Sequence, residues 1–224
     1  MRSLVLCSGG LDSAVCLGLA AKDGEVETLT CNYGQSHIHE IESAAKLSAH
    51  YKVRAHHVIS LPDIFRGGGS TLVDGLEPPS MSYKDLQKNE AGMSPTYVPF
   101  RNGNLLSIAT AMALTRECGY VWFGSHADDA GHWAYPDCSM DFLTAMRDAI
   151  YVGSYRKVLL ITPLVNDLKK DVVRKGAGLG VPFALSRSCY SADPVSCGKC
   201  PTCIERLGAF KANGLTDPIE YQSS

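Results

Sequence analysis

Short continuous apolar runs alternate along the chain with longer stretches whose apolar residues recur every three or four positions, the spacing of a helix with one buried face. Leu4–Cys7 has the length of a buried strand and stops at Ser8-Gly9-Gly10, where the glycines break the pattern. From Asp12 to Lys22, Val15, Leu17, Leu19 and several alanines predict a helix. Val26–Asn32 reads as a second strand, and His37–His50, with Ile38, Ile41, Ala45 and Leu47 near helical spacing, as a second helix. A third strand ends at Val58–Leu61. Pro62–Pro99 is rich in Gly, Pro and Ser and carries no period; a loop of that length inside a domain is usually functional or mobile. The second half predicts a helix at Asn104–Glu117, a strand at Tyr120–Gly124 and a long turn through Asp137. A helix at Ser139–Tyr151, a strand at Val158–Thr162 and a helix at Leu168–Leu179 follow, closed by Pro182.

This βα alternation implies an α/β fold, a Rossmann-like parallel sheet with helices on both faces. Ligands of such sheets bind outside the carboxyl ends of the strands. The turns at Ser8–Ser13, Tyr33–Gln35, Val98–Asn102 and Ser125–Asp137 fall at or near those ends. With no internal repeat or linker, the expectation is one domain over residues 1–224, with a tail at 187–210.

Composition narrows the classes. The 224 residues are 45% hydrophobic and 20% charged, which is ordinary globular usage. No apolar run reaches the ~18 residues that span a bilayer, and Leu4–Cys7 is too short for a signal peptide, so the expectation is a cytoplasmic protein without membrane association. A net charge of −2 without any Lys/Arg run argues against direct nucleic-acid binding. Nine cysteines, an odd number in a chain read as cytosolic, argue against a disulfide framework.

Two clusters carry chemistry. Ser8-Gly9-Gly10-Leu11-Asp12-Ser13 joins the first strand to the first helix. Its glycines let backbone N–H groups approach an anion, and the helix directs its positive end to the same point. Ser8 and Ser13 add hydroxyls, while Asp12 is placed to cap the helix or organise a phosphate-bound magnesium. The loop is neither GxxxxGK[ST] nor GxGxxG; it matches SGGxDS, the pyrophosphate loop of enzymes that cleave ATP between the α and β phosphates. The bland reading is a strand–turn–helix joint. The second cluster is Cys189-x7-Cys197-x2-Cys200-x2-Cys203, whose thiolates suit one structural tetrahedral Zn²⁺, with Gly198 and Pro201 in the knuckle. A redox Cys-x-x-Cys pair or unrelated buried cysteines are the other readings. The remaining cysteines, Cys138 included, read as packing residues.

Taken in order, these fragments resemble the 7-cyano-7-deazaguanine synthases, within the PP-loop ATP pyrophosphatases. Besides the two clusters, Tyr33-Gly34-Gln35-Ser36-His37 resembles that family's YGQxH, followed by Glu40. Gly68-Gly69-Ser70 resembles its GGS loop, Val98-Pro99-Phe100-Arg101-Asn102 its VPxRN, and Ala134-Tyr135-Pro136-Asp137-Cys138 its YPDC. Pro163 with Lys169 resembles its late lysine motif. Three places depart from it. Phe100 stands where Gly or Asn is common, Arg187 where many relatives carry Trp or Leu, and Ser125-His126-Ala127-Asp128-Asp129 matches only one subset. Phe100 and Arg187 leave the exact substrate and end product open.

The resemblance implies an adenine nucleotide alpha hydrolase-like fold and an ATP-dependent ligase that turns 7-carboxy-7-deazaguanine and ammonia into the nitrile. Adenylation makes the carboxylate, and then the amide, susceptible by giving each oxygen a good leaving group. Nucleotide binding falls on Cys7, Ser8, Gly9, Gly10, Leu11, Asp12, Ser13, Ala14, Val15, Cys16 and Leu17. Asp12, Ser13, Lys169 and Arg101 are the catalytic candidates, the two cations facing the departing pyrophosphate. Asp128, Tyr135 and Asp137 are candidates for deazaguanine recognition or ammonia deprotonation, with turn and capping chemistry as the alternative. His37 and Glu40 are placed near the adenosine. Structural Zn²⁺, ATP with Mg²⁺ and a homodimer complete what the resemblance implies. An amide-forming ligase for a deazapurine or another small carboxylate stays open. So does a tRNA thiolase, though that would need a persulfide-carrying cysteine and a basic face, and so does an inactive binding module.

Overall fold

A computed structural model describes residues 2–35, 39–77, 79–80, 82, 94–130 and 135–222. Its centre is β1 (Arg2–Leu6), whose alternating side chains feed both faces of the sheet. Val5 points into one core and Leu4 and Leu6 into the other, and none of them is more than 7% exposed. β2 (Glu25–Asn32) pairs with β1 in parallel, Leu4 opposite Glu27, and β3 (Ala55–Ser60) adds to β2 at the sheet edge. The chain then crosses to the other side of β1, where β4 (Tyr120–Trp122) pairs with it, and β5 (Leu159–Ile161) forms the far edge. The order β3-β2-β1-β4-β5, parallel throughout, puts a topological switch between β1 and β4. The carboxyl ends part there and leave a crevice.

Helices cover both faces. On one side lie α1 (Leu11–Asp23), α2 (His39–His50), α5 (Lys169–Leu179) and α6 (Pro201–Ala212). α3 (Arg101–Thr115) and α4 (Met140–Gly153) lie on the other, through Leu106, Ala109, Ala113, Leu143 and Ile150. α1 is buried along most of its length rather than on one stripe, which explains its small, closely spaced side chains.

The expected elements are present with ends shifted by a few residues, and His37, at the expected start of the second helix, lies outside the described residues. α6 was not anticipated. It starts with Pro201 in the first turn and sends Ala209 and Phe210 into the α1–α5 core, so the cysteine segment is packed into the sheet's flank. Part of the Pro62–Pro99 segment is also folded: Phe65, Leu72, Val73 and Val98 cluster on Tyr33. There the Asp74 carboxylate accepts the N–H groups of Gly67 and Gly69 at 2.8 and 2.7 Å.

Candidate functional site

The crevice at the switch point is a solvent-open cleft of about 1240 Å³ of empty space. Its floor is the turn from β1 into α1. Gly9 adopts φ +90°, and a Cβ there would lie 2.1 Å from the Glu40 carbonyl oxygen and 2.7 Å from the Ala44 nitrogen, so only glycine fits against α2. The loop's N–H groups meet hydroxyls at long range. Gly9 donates to Ser13 Oγ at 3.2 Å, Gly10 to Ser8 Oγ at 3.2 Å and Leu11 to Ser188 Oγ at 3.4 Å. Such N–H groups, in line with the N-terminus of α1, are suited to exchange hydroxyls for phosphate oxygens. Of the span Cys7–Leu17, Cys7, Ser8, Gly10, Asp12 and Ser13 line the cleft; Ala14, Val15, Cys16 and Leu17 are fully buried in the core behind it.

The structure joins two expected residues that lie 157 positions apart: Lys169 Nζ donates to Asp12 Oδ2 at 2.8 Å. Lys169 is 6% exposed, so it is not surface charge. Its ammonium also lies 3.1 Å from His126 Nε2 and 3.6 Å from Glu205 Oε2. Burial alone would lower the Lys169 pKa, but the Asp12, Glu205 and Asp129 carboxylates outweigh it and push the ammonium's pKa above its ordinary value. Burial would raise the Asp12 carboxyl, yet Lys169 and His126 hold it below its usual range. Asp12 Oδ1 is buried and has no hydrogen-bond partner among the described residues. His126, Asp128 and Glu205 bring ligand-type atoms within 4.8 Å of one another. The neighbouring Lys169 ammonium already supplies positive charge to that group.

Arg101, the second expected cation, is half-buried, donates to the Tyr33 hydroxyl at 3.0 Å and stacks over that ring at 5.4 Å. Arg101 and Lys169 are the first residues of α3 and α5. The carboxylates expected to meet substrate serve these two helix starts instead. Asp137 Oδ2 accepts Asn102 N–H at 3.0 Å, and Asp128 Oδ2 accepts Lys169 N–H at 2.7 Å. Neither lines the cleft, and burial raises the Asp137 pKa. Tyr135 does line it, its hydroxyl in a short contact with Thr96 Oγ1. Glu40 lines it too, while His37 lies outside the described residues.

The cleft also holds residues that the sequence reading passed over: Asp129, Glu205, Asn102, Ser188 and Thr202. Two departures stand beside its lining residues, not among them. Phe100 is 56% exposed with its ring edge-on to Phe142, and Arg187 spends its guanidinium on the carbonyls of Ser191, Asp193 and Pro194. Neither is among the residues that line the cleft. Arg187 instead ties down the loop between the first two clustered cysteines.

The four clustered cysteines lie behind cleft residues of the same segment, Ser188, Tyr190, Thr202 and Glu205. The sulfurs of Cys189, Cys197, Cys200 and Cys203 all lie within 4.8 Å of one another. A tetrahedral ion with ~2.3 Å bonds to sulfur needs sulfurs about 3.8 Å apart, so the four thiols fit a metal of that kind. Mutual hydrogen bonding splits their acidities: contacts with Cys189 and Cys203 pull the Cys200 thiol far down, and Cys189 is pushed up to about 11. Two contacts tie this module to the phosphate loop: Arg187 N–H donates to the Gly9 carbonyl at 2.8 Å and Leu11 N–H donates to Ser188 Oγ at 3.4 Å; within the module Thr202 Oγ1 donates to the Ser188 carbonyl at 2.6 Å, and Glu205 faces Lys169. Among the described residues no helix is long and apolar enough to cross a membrane.

Comparison with known proteins agrees with this arrangement. The chain is 36% identical over 223 residues to the 7-cyano-7-deazaguanine synthase of Pseudoalteromonas translucida, covering 99% of each. It is 37% identical to that of Caldicellulosiruptor bescii, covering 99% of this chain and 98% of the relative. In fold it is similar to a crystal structure from Methanocaldococcus jannaschii described as a predicted subunit of tRNA methyltransferase. The TM-score is 0.50 at 18% identity, over 100% of this chain and 93% of that one. Residues 2–214 match the family described as Queuosine biosynthesis protein QueC, and the chain belongs to that family.

Proposed function

We propose that this chain is an ATP-dependent carbon–nitrogen ligase that converts 7-carboxy-7-deazaguanine and ammonia into 7-cyano-7-deazaguanine. One observation carries the reading: an intact pyrophosphate-type loop on the cleft floor, with the Lys169 ammonium held at its edge by Asp12. The full-length likeness to relatives of that name supports the choice of substrate.

In this reading Ser8, Gly9, Gly10 and Ser13 seat the phosphates, and Lys169 and Arg101 face the charge that develops as pyrophosphate leaves. Asp12, with one carboxylate oxygen unpartnered, would hold a magnesium ion that neutralises phosphate charge. Leu6, Leu29, Phe123 and Tyr135 give apolar walls on which flat heterocycles can lie. Asp129, the carboxylate of its one-turn helix that faces the cleft, replaces Asp128 and Asp137 as the group suited to take a proton from ammonium. Tyr135 remains the proposed contact to the deazapurine, and the four cysteines are proposed to hold zinc as a closed structural site. The exposed Tyr151, Val152, Tyr155 and Leu159, on and around the β5 edge, support pairing of two copies.

No thiol is asked to react. Burial pushes Cys7 up to about 11, Cys31 up to about 12 and Cys138 well above its ordinary value. This supports a ligase over a thiolase with a persulfide-carrying cysteine.

Mass spectrometry of products from 7-carboxy-7-deazaguanine, ammonia and Mg-ATP tests the proposal. The expected products are the nitrile, an amide intermediate and two AMP with two pyrophosphate per nitrile, one pair for each oxygen removed. Amide as the end product with one AMP favours the amide-forming alternative. ADP as the nucleotide product rejects adenylation.

A further inference from the structure

We propose that Glu205 is a positioning residue for the nucleotide step, holding the Lys169 ammonium in place when Asp12 turns from that lysine to the nucleotide's cation. The inference rests on the ATP reading above and adds a residue to it from the cysteine module.

Asp12 has two tasks to divide. Its Oδ2 accepts from Lys169 at 2.8 Å, while its Oδ1 is buried and unpartnered among the described residues. A divalent cation arriving with phosphates would draw on this carboxylate and weaken its hold on the lysine. A lysine side chain has four rotatable bonds and a strongly hydrated head, so with one partner gone it would swing. Glu205 prevents this from the opposite wall. Its carboxylate is 3.6 Å from Lys169 Nζ, with only 18% of its side chain exposed, and His126 Nε2 accepts from the same ammonium at 3.1 Å.

The placement of Glu205 is fixed by the fold. It lies on α6, one turn past the helix start at Pro201, and α6 is anchored by Phe210 in the α1–α5 core. Segment 187–188 is bonded to the phosphate loop on one side, through the Gly9 carbonyl, and to Thr202 of α6 on the other. The cysteine module therefore sets the distance between Glu205 and the loop. Its part in the site is to present one carboxylate at the right depth.

The test uses the full-length zinc-loaded protein, with magnesium and α,β-methylene-ATP as the nucleotide probe. Glu205→Gln is expected to keep one zinc per chain and a wild-type melt. Its affinity for the probe and its KM for ATP should weaken by roughly ten- to a hundredfold, the size of one lost, partly buried charge partner. The KM for the carboxylate substrate should stay near wild type. Glu205→Asp, which keeps the charge one methylene back, should recover part of the loss. Unchanged nucleotide affinity in Glu205→Gln overturns the inference. Zinc loss or a lowered melt in Glu205→Gln also overturns it, because the role would then be structural. A wild-type protein that does not bind the probe overturns the ATP reading together with this one.

Discussion

The phosphate loop and the cysteine module border one cleft and touch through Arg187 and Ser188, yet they hold their shapes by different means. The loop is self-supporting. Ser13 Oγ accepts from Gly9 and donates to the Gly10 carbonyl, Ser8 Oγ accepts from Gly10, and the helix beneath is buried through Ala14, Val15, Cys16 and Leu17. The module has almost no apolar core of its own, only Cys189, Cys200 and Cys203 with Tyr190, Cys197 and Tyr221 packed around them. A cluster that small does not fold by burial alone and calls for an added staple. One wall is built by hydrogen bonds and packing, the other around four thiols whose spacing fits a metal. The two should respond differently to damage.

Cys200→Ser is the strongest break. It should lose the zinc and roughly 5 kcal/mol or more of stability, a large share of an ordinary domain's total of about 5–15 kcal/mol. Elemental analysis and a thermal melt read both. Unchanged metal content with an unchanged melt would show that the module stands without metal and would erase the contrast.

Asp12→Ala probes the other wall. Here the zinc content should remain near wild type and the melt should fall less than in Cys200→Ser, the lost pair with Lys169 costing about 3 kcal/mol, while AMP formation falls by about 10³-fold, because positioned charge supplies much of such catalysis. Near-normal turnover would mean that the nucleotide sits elsewhere.

The two walls also differed in how much of them could be read in advance. The loop is six consecutive residues, so its chemistry travels with its sequence. The cysteine spacing is nearly as local. What surrounds them is not. Asp128 and Asp129 are neighbours on one helical turn, and a step of ~100° between them turns one carboxylate to the α5 backbone and the other to the cleft. No period over so short a helix decides which. Glu205 stands two residues past Cys203, yet its partner Lys169 is reached only because α5 and α6 pack side by side. The start of α6 did carry a signal, Pro201 after Cys200, which the reading of a tight knuckle overrode. Asp137 looked like substrate chemistry because it adjoins Tyr135, but only the fold shows that α3 begins beside it.

Acid and alkali should separate the walls by a smaller margin. The Asp12 pKa lies below its ordinary value of 3.8, so its stabilising contribution is present above that value and fades as pH falls through the folded pKa. The Lys169 pKa lies above 10.5, so its contribution is complete below 10.5 and fades as pH rises through the folded pKa. Between these limits the pair contributes a constant amount. The thiolates must be deprotonated to hold metal, so the module should release zinc at a milder acidity than the one that breaks Asp12–Lys169. Melts across pH with a zinc-release dye test the order. Zinc retained until Asp12 protonates would mean that the loop, not the module, is the acid-sensitive wall.

The smallest expected effect lies outside both walls, at Phe100, and it sharpens the comparison by asking whether the residue before α3 shapes the part of the cleft that Arg101, Asn102 and Leu105 line. Phe100 precedes Arg101 in the left-handed conformation, φ 50° and ψ 26°. That region favours Gly or Asn and costs other side chains about 1–2 kcal/mol. The ring offsets part of this by meeting Phe142 edge-on at 5.8 Å, a contact of about 0.5–1.5 kcal/mol. It also lies so close over Gly103 that a Cβ there would be 2.3 Å from it, which is why glycine occupies a helix interior position. Phe100→Asn gives up the ring contact and relieves the backbone, so the two changes nearly cancel. Stability should move by less than about 1 kcal/mol in either direction. Both KM values should stay put, since the ring points away from the cleft and Arg101 keeps its bond to Tyr33. A KM for the carboxylate substrate shifted by about tenfold or more, about 1.4 kcal/mol, would show that this residue shapes the pocket through α3.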